Sequence, residues 1–159
     1  MKHVSIATAL AASVFVLSAC VTAPAPKNIV ATAAATPELS TLTKLIGDAG
    51  LTDMLTAPGP YTVFAPTDEA FKAVPAATLA ALAKDKDKLK AVLSYHVVAG
   101  KVTAADVKNG PAKTLQGANV ALSKSGTFVT VDDAVVTTPD VAATNGEIHL
   151  IDRVLMPPK

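Results

Sequence analysis

Cys20, His96, His149 and Asp152 are the residues of this chain whose side chains most readily do chemistry, so the company they keep decides which reactions are open. A serine hydrolase needs its nucleophile on a sharp turn, often Gly-x-Ser-x-Gly, beside a histidine and an acid. No serine here has that setting. A metal centre wants His, Cys or carboxylates that converge, and beyond the first twenty residues only His96 and His149 supply imidazoles. His-Glu-x-x-His, P-loop and Gly-x-Gly-x-x-Gly runs are all missing from the sequence. His149 and Asp152 lie three apart in an apolar stretch that reads as a strand, and alternation sends them to opposite faces. They form no acid-base dyad, and each needs its own hydrogen-bond partner near a core. The expectation is a protein with no catalytic residue, no metal and no cofactor.

Cys20 has a different chemistry open to it. Lys2 supplies a positive start, and Val4 to Leu17 is an uncharged run of 14 residues ending in the small Ser18 and Ala19. That run is short of the roughly 20 residues a permanent membrane helix wants. Leu17-Ser18-Ala19-Cys20 looks like the bacterial lipobox, in which the thiol takes a diacylglycerol and a peptidase cuts just before the cysteine. The resemblance implies a signal peptide over 1–19, lipidation at Cys20, and attachment to a membrane through its acyl chains. VTAPAPK, with two prolines and little bulk, reads as an extended tether, so 20–27 separates the lipid from the folded part, 28–158. Val21 rather than Asp after the cysteine resembles the sorting rule for the outer membrane, so the chain is expected in an exported, lipid-anchored position in the bacterial cell envelope.

The 159 residues make one domain, and 14 Lys+Arg against 13 Asp+Glu leave a net charge of +1. That balance gives no positive field to draw in phosphate backbones, so no nucleic-acid partner is expected. A single cysteine excludes an intrachain disulfide. With 4% aromatic and 50% hydrophobic residues, the core must come from Ala, Val, Leu and Ile.

These residues need elements to hold them. Pro37 suits a first helical turn, and Leu39, Leu42, Leu45 and Ile46 continue it at spacings of three and four. Leu51 to Leu55 makes a further short turn, Tyr61 to Phe64 is a β run, and Thr67 is an N-cap for a helix with Asp68 and Glu69 in its first turn. Pro75 opens another helix, and Leu89, Val92 and Leu93 mark the buried side of a third, ahead of Tyr95-His96-Val97-Val98. The alternation of Lys and Asp over 84–90 reads as a solvated face.

After Gly100 the texture turns to strands: 113–115, 119–122, 127–131 and 134–138, with hairpin-sized separators that predict an antiparallel meander. Asn145-Gly146 predicts a turn with positive φ, launching a last strand over 147–155. That strand carries apolar bulk on both faces and belongs in the centre of a sheet. Helices early and strands late predict an α+β fold.

YTVFAPTDEAF at Tyr61 to Phe71, YHVV at Tyr95 to Val98 and ATNGEIHLIDRVLMPP at Ala143 to Pro158 resemble, in order, the three marks of a fasciclin (FAS1) domain. The resemblance implies a two-sheet antiparallel β-wedge or sandwich packed with several helices, and a role in adhesion or surface interaction. It also implies an interaction surface at Tyr95 and His96. A second is implied at Asp140 and Val141, where the family's Asp-Ile reads Asp-Val. Thr67, Asp68, Asn145, Gly146, His149 and Asp152 fall in the structural motifs, with His149 and Asp152 expected to brace the YTVFAPTDEAF segment through the Thr67 and Asp68 region. The leading function is a non-catalytic envelope lipoprotein that mediates adhesion or binds a protein or polysaccharide. The alternative is a carrier holding a small apolar ligand between helices and sheet, which requires a pocket of roughly several hundred Å³.

Overall fold

The computed structural model describes residues 27–158. The expected signal peptide, Cys20 and most of the expected tether therefore lie outside the described residues. Helices come first: α1 (Ile29–Ala35), a 3₁₀ turn (Pro37–Leu39), α2 (Ser40–Asp48) and α3 (Thr52–Thr56). β1 (Tyr61–Pro66) is followed by α4 (Asp68–Ala73), α5 (Ala76–Lys84) and α6 (Lys86–Tyr95). The rest is strand: β2 (Val97–Ala99), β3 (Gly110–Lys113), β4 (Asn119–Ser125), β5 (Phe128–Val131), β6 (Ala134–Ala143) and β7 (Gly146–Ile151).

Side-chain caps set several of these boundaries. Asn28 starts α1 by accepting the Ala31 N–H at 2.8 Å, and Thr67 starts α4 by accepting the Ala70 N–H at 3.3 Å. α2 has no local side-chain cap. Asp68 serves instead from across the fold, accepting the Ser40 hydroxyl at 2.7 Å and the Thr41 N–H at 2.9 Å. Burial works to raise the Asp68 carboxyl, but the bonds from Ser40 and Thr41 outweigh it and leave it below the usual value.

The seven strands follow one order, β2-β1-β7-β6-β5-β4-β3. The end strands approach each other through a Val98 to Thr114 bridge and the Leu115 N–H, which donates to the Val97 carbonyl at 2.8 Å. The result is a nearly closed wedge, as the resemblance implies, and its single seven-strand order corrects the expectation of two sheets. The all-antiparallel expectation is corrected too, because β1 and β7 run parallel from Tyr61 opposite Gly146 to Pro66 opposite Ile151. A parallel pair needs a long crossover, and residues 67–145 supply it.

As expected, β7 sits inside the sheet with all six residues buried. Ile148 and Leu150 join the helix-side core with Leu39, Leu42, Leu89 and Leu93. Ile151 faces the wedge interior with Phe64, Tyr95, Val120 and Val131. Each such aliphatic side chain, fully buried, contributes roughly 1.5–3 kcal/mol. β7 ends at Ile151 and not at Leu155, because Asp152 turns to Val135: its carboxylate accepts the Val135 N–H at 2.8 Å and its N–H donates back to the Val135 carbonyl at 3.1 Å. The alternation outlives the strand, since Val154 packs on the helix-side core and Leu155 enters the wedge.

The turn into β7 also differs from expectation. Ala143 pairs with Gly146, so the loop is Thr144-Asn145, and Gly146 opens the strand without a left-handed backbone. Glycine is required there for space. A Cβ at position 146 would stand 2.8 Å from the Tyr61 carbonyl carbon and 2.9 Å from its nitrogen. Asn145 joins three elements at this point. Its Oδ1 accepts the Ile29 N–H at 2.9 Å, and its Nδ2 donates to the carbonyls of Leu55 at 2.7 Å and Ala57 at 3.1 Å.

Candidate functional site

Tyr95 and His96 do not form the exposed surface expected of them: they are 3% and 1% exposed. They end α6, whose apolar stripe turns its last residues inward between the sheet and the helices. The Tyr95 hydroxyl reaches the Asp132 carboxylate at 2.9 Å and the Asn119 carbonyl at 3.2 Å, pinning the β4 and β5 end of the wedge. Burial and the Asp132 carboxylate push its pKa up to about 12, so it stays a neutral donor. His96 Nδ1 lies 2.7 Å from the Val92 carbonyl, and Nε2 accepts the Leu155 N–H at 2.9 Å. That pairing fixes one tautomer, Nδ1–H, and burial lowers the pKa to about 4 although the Val92 bond opposes the shift. Both ring nitrogens are engaged, so His96 is structural.

Asp140 and Val141 lie on β6, where the register against β7 slips between Thr138 and Val141. Pro139 and Asp140 then oppose the single residue His149, which is a β-bulge. Asp140 has φ 56°, a left-handed backbone that an aspartate tolerates better than a branched residue. Its carboxylate is exposed and accepts the Ala104 N–H at 2.7 Å, while its own N–H points at His149 Nδ1 at 3.2 Å. Val141 is half-buried beside it.

His149 does brace the YTVFAPTDEAF segment, but through Phe64, whose ring stacks on the imidazole at 5.6 Å between centroids. Neither its hydrogen bonds nor those of Asp152 run to Thr67 or Asp68, which corrects the route expected from sequence. His149 Nε2 lies 2.7 Å from the Val102 carbonyl, and Asp152 holds Val135. Thr62, fully buried, fastens the same loop by donating to the Gly100 carbonyl at 2.7 Å and accepting the Val102 N–H at 2.8 Å.

Glu147 went unnoticed in the sequence. It is 5% exposed, two residues before His149 on the same face of β7, and its Oε1 meets the Lys101 ammonium at 3.3 Å. Its Oε2 is buried with no hydrogen-bond partner among the described residues. Asp140, Glu147 and His149 each place a ligand-capable atom within 4.8 Å of the others. The Glu-x-His spacing carried the signal for two of the three, but nothing local in the sequence ties Asp140 to them.

A second feature is an apolar pocket of about 300 Å³ between α2, α4, α5 and α6, lined by Leu45, Phe71, Leu79, Leu82 and Leu93, with Val154 at the sheet side. α5 has no fully buried residue, and its small alanines leave the space open.

The fasciclin domain family matches residues 37–157, and the chain belongs to that family. It is 45% identical over 133 residues to Protein sll1483 of Synechocystis sp., covering 82% of this chain and 74% of that one. It is 42% identical over 135 residues to cell surface glycolipoprotein MPB83 of Mycobacterium bovis, covering 81% of this chain and 60% of that one. Among solved structures, the FAS1 domain pair of the insect cell adhesion molecule Fasciclin I superposes with a TM-score of 0.68 at 19% identity, over 82% of this chain and 51% of that one.

Proposed function

We propose that this protein is a non-catalytic module of the bacterial cell envelope, lipid-anchored through Cys20 in the outer membrane, that binds a protein or polysaccharide at the β6 bulge around Asp140 and Val141. The bulge carries the reading: it holds an exposed carboxylate in a left-handed backbone, fixed from both sides by Ala104 and His149. The engagement of all four ring nitrogens of His96 and His149 by backbone groups supports a binding role over turnover. Export and a surface position draw support from MPB83, a cell surface glycolipoprotein. Adhesion draws it from the kinship of the fold with a cell adhesion molecule.

Capture from envelope extracts tests this reading. The full chain should sediment with membranes and retain a partner. Cys20→Ser should release it from membranes with its melt unchanged, and Asp140→Ala, once shown to be folded, should weaken partner retention at least about tenfold. Full retention by folded Asp140→Ala would put the binding surface elsewhere, and sedimentation of Cys20→Ser would remove the anchor.

The pocket between the helices favours a second reading, a carrier for a small apolar molecule, since its volume of about 300 Å³ is at the lower end of ligand sites. An apolar fluorescent probe should then titrate to one site, and Ala83→Phe, which fills the space, should abolish the titration. Equal binding by the filled variant would exclude this reading.

A further inference from the structure

We propose that Asp140, Glu147 and His149 form a binding site for one divalent transition-metal ion of the zinc class, at the mouth of the wedge under the loop from β2 to β3. The ligand set is one imidazole nitrogen and two carboxylate oxygens, mutually within 4.8 Å, a spread that small side-chain rotations close around an ion with bonds of about 2.0–2.2 Å. Two carboxylates and a neutral imidazole balance a dication. Mixed nitrogen and oxygen donors favour zinc-like ions over calcium or magnesium, which take oxygen alone.

Three features prepare the site. The short contact from His149 Nε2 to the Val102 carbonyl, 2.7 Å, requires the proton on Nε2 and leaves the Nδ1 lone pair facing Asp140. Metal-bound histidines are commonly held in this way, with the distal N–H on a backbone carbonyl. The Asp140 N–H now occupies that lone pair at 3.2 Å, and an ion takes its place when the bulge backbone shifts to withdraw the N–H. Among the described residues only Oδ1 of Asp140 is engaged, by the Ala104 N–H, which leaves Oδ2 to ligate.

Glu147 supplies the independent evidence. A buried carboxylate with an oxygen lacking any partner is costly, and its salt bridge does not cure it, because Lys101 reaches the other oxygen at 3.3 Å from a side chain 56% exposed. A bound cation would satisfy the orphaned carboxylate and let Lys101 swing into solvent. Lys101 is thus a competitor that sets the affinity, and the exposed Asp140 gives the ion its way in. The site does not depend on the partner-binding reading.

Zn²⁺ titration of the chelator-stripped full chain by calorimetry tests the proposal. One ion per chain is expected, with a rise in melting temperature. Glu147→Gln and Asp140→Asn keep shape, and the asparagine oxygen still accepts the Ala104 N–H, so both should fold and bind at least tenfold more weakly. Lys101→Met should bind several-fold more tightly. The His149 Nδ1 resonance should shift on addition of zinc. Absence of stoichiometric binding at millimolar Zn²⁺ would overturn the site, as would full affinity in both carboxylate variants. Unchanged affinity in Lys101→Met would overturn the competition.

Discussion

Gly146→Ala should lower the melting temperature by about 10 °C, a larger loss than a single methyl group on a strand ordinarily causes. The new Cβ would enter the Tyr61 peptide, whose carbonyl carbon lies 2.8 Å and nitrogen 2.9 Å from its position, and both belong to the neighbouring parallel strand. Neither backbone can yield without breaking the Tyr61 to Gly146 register that begins six consecutive β1–β7 pairs. Overpacking against a backbone costs on the order of 3 kcal/mol, and a domain of this size shifts by a few degrees per kcal/mol. Thermal melts of the alanine variant check it. A loss below about 1 kcal/mol would mean that the strands part easily at this end. Gly146→Val should not fold.

Acid should destabilise the protein through His96. Burial lowers its folded-state pKa to about 4, against an ordinary value of 6.5. Below pH 6.5 the unfolded chain takes up a proton that the folded chain refuses, so stability is fully present above that pH and falls as pH drops toward 4. The loss over this window is on the order of 3 kcal/mol. Geometry points the same way, because a proton on Nε2 would face the Leu155 N–H that this nitrogen now accepts. Denaturant titrations between pH 7.5 and 4.5 should show the decline. His96→Leu should start lower at pH 7.5, with the Leu155 N–H left unpaired, yet lose less on acidification. Equal slopes in the two proteins would remove His96 as the titrating group.

Much of the fold was legible because its signals are local. Thr67 caps its helix by a bond three residues long, Asp132-Asp133 separates β5 from β6, and the two-faced apolar pattern of 148–151 places β7 in the centre of the sheet. What escaped depends on partners distant in sequence. IVATAAA has no leucine stripe, and α1 is held by Asn28 locally and by Asn145 from 116 residues away. Gly146 reads as a turn glycine beside Asn145, whereas its need for space comes from Tyr61. The motif at Tyr95-His96 was visible, but its burial was not, since the groups that bond it, Asn119 on a strand, Asp132 in a turn and Leu155 in the tail, are assembled only in the fold. The Asp140 cluster was hidden for the same reason, because a register slip brings it to His149.

The parallel contact between the first and last strands has a consequence for timing. During synthesis β1 emerges early, but one of its two edges and much of its hydrophobic surroundings await residues 146–151, which follow only after the whole crossover of 67–145. Contacts of such long sequence separation form slowly and late. The helices and β1 cannot complete their core ahead of β7, and truncation before Gly146 leaves an open strand edge prone to self-association. Until β7 docks, therefore, the earlier part of the domain remains an open, unlocked assembly that its last strand closes at a single step.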